Sequence, residues 1–248
     1  MRRFFIDREL NIGDRAVLTG DEAKHIASVL RMHIGDRLIL INGSGIELTA
    51  EIVSVQPGEV EVKIVDGMPC AAEPDCRVTL FQCLPKAGKM ELIVQKCVEL
   101  GVTDIRPVHS RRCVVKPERS ENKLIRYNKV SQEASKQCGR GVAPAVLPVV
   151  EIKDIDLSAY DLVLIAYEDE HETSLKTALS EFKAGPSYTA SSRIAVFIGP
   201  EGGFEPEEVE FILSRSKYAR AVSLGKRILR TETAGMAMLA ILMYDLEG

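Results

Sequence analysis

Tryptophan is absent from the 248 residues, histidine occurs four times, and no two of the six cysteines form a C-x-x-C pair. The histidines at 25, 33, 109 and 171 and the cysteines at 70, 76, 83, 97, 113 and 138 lack the spacing that holds zinc, so no metal is expected. The cysteines also show no disulfide framework, and reduced thiols in a cytoplasmic protein are the expectation. No run approaches the roughly 20 apolar residues that cross a bilayer. The start meets Asp7 too early for the apolar part of a signal peptide. A membrane protein is therefore not expected.

What is present describes a globule with a sizeable core: 46% hydrophobic residues in a chain long enough for one large or two modest domains. The net charge of −4 is unevenly spread. Between Arg106 and Arg140 ten Lys or Arg face only Glu118, Glu121 and Glu133, a local charge of +7 that leaves −11 on the rest. Tyr127 and His109 are interleaved with those cations. A solvated helix face accounts for some of them, but the clustering favours a phosphate-binding surface.

The first 70 residues read as mainly β, with short Val- and Ile-rich strands at 38–41, 47–55 and 60–65 and a turn at 42–45. One helix, 21–30, interrupts them, with Thr19 or Asp21 as its cap. Strands that return on themselves in this way suggest a small barrel. Gly67, Pro69 and Pro74 place a linker at 66–75. Beyond it strands (77–83, 104–108, 162–166, 194–198, 221–223) alternate with helices (89–100, 122–137, 173–182, 206–215), the rhythm of a mostly parallel α/β sheet. The domains expected are thus 1–70 and 71–248. The last helix, 233–246, is apolar nearly all round and must be covered, by the core or by another subunit.

Two loops stand out. Val-Phe-Ile-Gly-Pro-Glu-Gly-Gly-Phe at 196–204 and Val-Ser-Leu-Gly-Lys-Arg-Ile-Leu-Arg-Thr-Glu-Thr-Ala-Gly at 222–235 each carry a strand into a turn rich in glycine and charge, then into a helix. At the carboxyl ends of neighbouring strands such loops form one ligand crevice. The spacing is neither G-x-G-x-x-G nor a phosphate-cradling Gly-Lys-Ser/Thr, and Glu201 would repel a pyrophosphate. A neutral or cationic ligand suits a carboxylate beside bare backbone, and S-adenosylmethionine, a sulfonium without phosphate, meets that description.

Ile-Gly-Pro-Glu-Gly-Gly-Phe at 198–204 and Leu-Gly-Lys-Arg-Ile-Leu-Arg-Thr-Glu-Thr-Ala at 224–234 closely resemble signatures of the bacterial 16S ribosomal RNA uracil-N3 methyltransferases of the SPOUT superfamily. The resemblance continues through 84–89, 94–101 and 133–140 to His-Ile-Ala-Ser-Val-Leu-Arg at 25–31, and so covers nearly the whole chain. Lys226 and Cys113 depart from it, standing where proline and serine are usual. The resemblance implies a PUA-like RNA-binding barrel followed by a SPOUT α/β domain with a carboxyl-terminal trefoil knot. It also implies a homodimer that methylates N3 of a uridine in 16S ribosomal RNA or the small ribosomal subunit. A SPOUT enzyme for another ribosomal or transfer RNA site, or a non-catalytic RNA-binding assembly factor, are the alternatives.

Methylating uracil N3 requires a held sulfonium, a proton acceptor and help for the developing anion. Ala166, Tyr167, Ile198, Gly199, Pro200, Glu201, Gly202 and Gly203 would hold the cofactor from one side. Ser223, Leu224, Gly225, Arg227, Ile228, Leu229, Arg230, Thr231 and Thr233 would hold it from the other. Glu232 is the first candidate for base and Glu201 the second, although helix-dipole stabilisation and bracing of the glycine loop explain them equally well. Arg230 or Arg140 would stabilise the uracil anion. His25, Arg31, Arg111, Arg112, Lys116 and Arg140 would meet RNA, although His25 on a short helix is more often packed or solvated and Arg140 serves equally well as a salt-bridge partner.

Overall fold

The computed structural model describes residues 2–6, 8–86, 88–116 and 121–247; Asp7, Ala87, Glu118 and Arg119, on which sequence readings fall, lie outside them. The chain divides into two compact units, Met1–Glu73 with Ser135–Ala143, and Pro74–Ala134 with Pro144–Gly248. The stretch 135–143, expected within the second domain, belongs to the first unit.

The first unit is a five-stranded sheet in the order β1 (Arg3–Phe5), β3 (Arg37–Ile41), β4 (Ile46–Gln56), β5 (Glu59–Pro69), β2 (Arg15–Thr19). Alternation sends Leu38 and Leu40, Leu48, Ala50 and Ile52, and Val60, Val62 and Ile64 into one core with Phe4, Ala16 and Leu18. Among the described residues no ladder joins β1 to β2, so the sheet is not closed by hydrogen bonds as a complete barrel would be.

Two local expectations are corrected. The strand β5 runs through Asp66 and Gly67 to Pro69, where a linker was expected. Beyond Ile64, which still exchanges backbone bonds with Gly13 and Asp14, it pairs only with β4, so Pro69 forfeits no ladder bond on its other edge. The expected helix 21–30 is α1 (Gly20–Lys24) followed by a π turn at His25–Val29, closed by Arg31 at φ 52°. Thr19 stands at the cap position, yet its side chain makes no cap bond.

The second unit is a wholly parallel sheet in the order β12 (Ala219–Val222), β10 (Leu162–Ala166), β11 (Arg193–Ile198), β6 (Arg77–Cys83), β7 (Asp104–His109), β8 (Ala145–Val146), with β9 (Val150–Glu151) also on β7. Its central strands are buried on both faces, as an apolar run such as Leu162–Ala166 requires. The helices are α2 (Lys89–Glu99), α3 (Glu121–Cys138), α4 (Leu175–Ala184), α5 (Pro206–Arg215) and α6 (Thr231–Leu246). Ser174 caps α4 through Thr177 N–H, and Glu205 and Glu208 form a reciprocal capping box at α5 with Pro206 at its first position. The helix α6 begins two residues earlier than its apolar run suggested, which puts Thr231 and Glu232 in its first turn. No helix among the described residues is long and apolar enough to cross a membrane.

Candidate active site

The site is built at the carboxyl edge of the parallel sheet. Register places Ala166 beside both Ile198 and Val222, so β10, β11 and β12 end at one level. The chain after β11 turns at once through Gly199–Gly203, because a Cβ at Gly199 would lie 3.2 Å from the Gly203 backbone. Gly203 itself has φ +70°, and a Cβ there would run into the Glu168 carboxylate. After β12 the chain comes back to α6, whose first residue closes the site. Thr231 Oγ1 donates to Gly199 O at 2.6 Å and accepts from Gln82 Nε2 at 2.8 Å. The buried Gln82–Thr231–Gly199 line thus ties the ends of β6 and β11 to the start of α6.

Between these walls lies a cleft of about 230 Å³, lined by Ala166, Glu168, Ile198, Gly199, Pro200, Glu201, Gly203, Ile228, Leu229, Arg230, Thr231 and Ala234. Its mouth is charged. Lys89 Nζ stands 3.3 Å from Glu201 Oε1 and 3.1 Å from Glu232 Oε2. Glu201 Oε1 also accepts the Lys86 N–H at 3.0 Å. Glu232 Oε2 is buried against the Lys89 ammonium. Burial acts to raise both carboxyls. It is outweighed at Glu201 by its own and the Lys86 backbone N–H groups and Lys89, and at Glu232 by its own N–H and Lys89, so both lie below the usual carboxylate range. Lys89 in turn is raised, first by Glu232, against desolvation, and then by Glu201.

The glycine turn is braced from behind. Arg112 Nη1 donates to Gly202 O at 2.8 Å while its Nε meets Glu205 Oε1 at 2.9 Å. Arg112, expected to contact phosphate, therefore spends its guanidinium on the loop. Nearby, hydrogen bonding with the Cys83 thiol, against burial and together with Ser110, lowers the Cys113 thiol to about 6.

Of the residues expected at the cofactor, Ala166, Ile198, Gly199, Pro200, Glu201, Gly203, Ile228, Leu229, Arg230 and Thr231 come together in the cleft. Tyr167, Gly202, Ser223, Leu224, Gly225, Arg227 and Thr233 are not on its lining. Ser223 instead hydrogen-bonds Gly225 N–H, Tyr167 packs on the core, and Thr233 is on the exposed face of α6. Glu232 is at the mouth through Lys89.

Arg140 is corrected. It is 3% exposed, with Nη2 2.8 Å from Glu73 Oε2, and Glu73 Oε1 takes the N–H groups of Gly141 and Val142 at 2.7 and 2.9 Å. A guanidinium so enclosed is a structural strut of the first unit rather than a phosphate or uracil contact. Arg111 and Lys116 are exposed, as are His25 and Arg31 in the first unit, where His25 also meets the Phe4 ring edge-on.

Lys89, Glu168, Gln82 and Ala234 were missed. Lys89 stands inside a quoted motif and Glu168 two residues past a strand end, so position offered a signal for both. The pairing of Gln82 with Thr231 joins residues 149 apart and had none. No group of three or more metal-binding side chains occurs among the described residues.

A parallel sheet whose neighbouring loops enclose a glycine-walled cleft at their carboxyl ends is a ligand-binding α/β enzyme domain. Residues 72–243 match the family described as RNA methyltransferase domain, and residues 18–65 match the RNA methyltransferase PUA domain. The chain is 32% identical over its full length to the ribosomal RNA small subunit methyltransferase E of Bacillus subtilis, covering 98% of that protein. Its structure is similar to the enzyme of the same name from Neisseria gonorrhoeae bound to S-adenosylmethionine, with TM-score 0.82 and 30% identity over 98% of this chain and 97% of that one. It is also similar to a methyltransferase from Legionella pneumophila crystallised with the same cofactor, with TM-score 0.79 and 31% identity over 98% and 96%. The chain belongs to the RNA methyltransferase family.

Proposed function

We propose that this protein transfers the methyl group of S-adenosylmethionine to N3 of one uridine in 16S ribosomal RNA. The observation that carries the reading is the cleft at the sheet edge, with two Cβ-free surfaces at Gly199 and Gly203 and the Lys89-bridged carboxylates at its mouth. The cofactor fits this lining. Ile198, Ile228 and Leu229 offer apolar surface for an adenine, and Glu168 and Glu201 offer negative charge to a sulfonium. The names of the relatives support a small-subunit ribosomal RNA target, and two similar structures hold the cofactor.

When bound, the cofactor supplies an electrophilic methyl group on a sulfonium. The chain must supply the rest. Glu232, at the cleft mouth beside Lys89, takes the N3 proton. A carboxylate held low is a weak base, so much of the catalysis falls to positive charge that lowers the cost of the uracil anion. Lys89 supplies that charge, with Arg230 at the cleft wall as its second source. Glu201, fixed by Lys86 N–H and Lys89, keeps the glycine turn in place.

The same reading includes the SPOUT trefoil knot and a homodimer. The chain leaves edge strand β12 and passes back to bond Gly199 and Gln82, at the ends of β11 and β6, a course that a tucked carboxyl-terminal segment would take. Purified protein with labelled cofactor should modify small ribosomal subunits that lack the mark, with the label on uridine N3. Label on carbon-5 or a ribose hydroxyl would refute the chemistry. Failure to bind the cofactor in calorimetry would leave a non-catalytic assembly factor as the reading.

A further inference from the structure

The second unit holds, besides the glycine cleft, a roomier cavity of about 690 Å³ between the ends of β6 and β7 and the first half of α3. Its floor and walls are apolar, with Leu84, Pro85, Leu147, Pro148 and the ring of Tyr127. Lys116, Lys123 and Arg126 stand on its lining with Glu91 and Glu121, and Arg126 and Glu91 neutralise each other at 2.8 Å. The volume lies within the range of sites that enclose a small organic group.

The cavity and the cleft are linked through one stretch of chain. Leu84, Pro85 and Gly88 line the cavity, while Lys86 and Lys89 of the same stretch grip Glu201, which lines the cleft. The Lys86 and Lys89 contacts therefore connect the lining of one recess to the lining of the other. Apolar walls with an aromatic ring inside and cations on the same lining match an unstacked nucleobase on a phosphate chain. A second copy of this chain matches less well, because the exposed stripe of α6 (Thr233, Ala240, Ile241, Tyr244) carries no carboxylate to answer Lys116.

Resting on the methyltransferase reading, we infer that this cavity holds a nucleobase of the substrate RNA neighbouring the one that is methylated. The base stacks on Tyr127, and Lys116 meets an adjoining phosphate. Stacking explains how the target base is kept splayed from its strand. A neighbour taken into the cavity cannot restack on it.

The test measures equilibrium binding of the full-length protein to unmodified small-subunit ribosomal RNA at fixed salt. Losing the stacking surface should weaken binding by Tyr127→Ala roughly five-fold or more, and Tyr127→Phe, which keeps the ring, should stay close to the parent. Both variants should bind S-adenosylmethionine as the parent does. Transcripts carrying 4-thiouridine should photo-crosslink to the α3 peptide containing Tyr127 in the unaltered protein, a readout that does not depend on any variant folding. Unchanged RNA binding by Tyr127→Ala, an equal loss in Tyr127→Phe, or no crosslink on that peptide would overturn the inference. A change of subunit number in Tyr127→Ala would assign the cavity to a protein interface instead. Because binding is read without turnover, RNA affinity that follows the ring in a protein that transfers no methyl would sink the functional reading alone.

Discussion

Glu201 and Glu232 share one ammonium, yet their surroundings separate their roles. Glu201 is committed through one oxygen to Lys86 N–H and Lys89. Glu232 meets the same ammonium through Oε2 at 3.1 Å, from the first turn of α6. Glu232→Gln should therefore preserve cofactor and RNA affinity while lowering the single-turnover rate by roughly 10²-fold or more. The pH dependence follows from the directions of the shifts. Glu232 is held low and stays ionised through neutrality, and Lys89 is raised and stays charged well into alkaline solution. Neither group then limits the rate across the neutral range. In Glu232→Gln the rate should climb as the pH rises toward uridine's own ionisation, because the substrate sheds the proton unaided. A pH-independent rate close to the parent's would remove Glu232 from the role.

At the scale of elements, the basic segment that looked uniform in sequence divides into struts and exposed charge. Arg140 lies in the loop after α3, locked to Glu73, and removing one member of a buried pair costs about 3–5 kcal/mol. Arg140→Gln should accordingly lower the melting temperature and leave the salt slope of RNA binding unchanged. Arg111→Gln and Lys116→Gln should do the reverse, each reducing that slope by roughly 0.7–0.9. A slope that falls with Arg140→Gln in a protein of normal stability would restore it to the RNA surface.

Elements whose signal is local were legible. The glycine turn after β11, Pro206 at the start of α5 and the apolar run of α6 all express short-range chemistry. What could not be read was long-range. The Lys89–Glu201 pair joins residues 112 apart, and Arg140 finds Glu73 across 67. Pro69 stays in β5 because pairing leaves that edge bare, which no composition rule reveals. The π turn at His25–Val29 keeps the apolar spacing of an α-helix while altering its hydrogen bonds, so the periodicity could not betray it.

For the molecule as a whole, the question left by the sequence was what covers the last helix. One side of α6 is answered within the chain, since Ala234, Gly235, Met238, Leu239, Leu242 and Met243 are buried and the helix packs on α2 and β11. The other side is not. Ile241 is 43% exposed and Tyr244 87%, in line with Thr233 and Ala240 at helical spacing, and Ile228 in the loop before the helix is 91% exposed. A continuous apolar stripe of that kind favours burial against a second copy. Stable interfaces cover about 800 Å² on each partner, more than one helix face supplies, so neighbouring surface such as the exposed Leu92 of α2 would have to join it. Light scattering at low micromolar concentration should then report about twice 27.3 kDa. Replacing Ile241 with Lys and Tyr244 with Ser should halve that mass without unfolding the chain, because both side chains point away from its own core. A parent protein that is monomeric and still transfers methyl groups would show that the stripe serves some other contact, and the dimer would have to be abandoned.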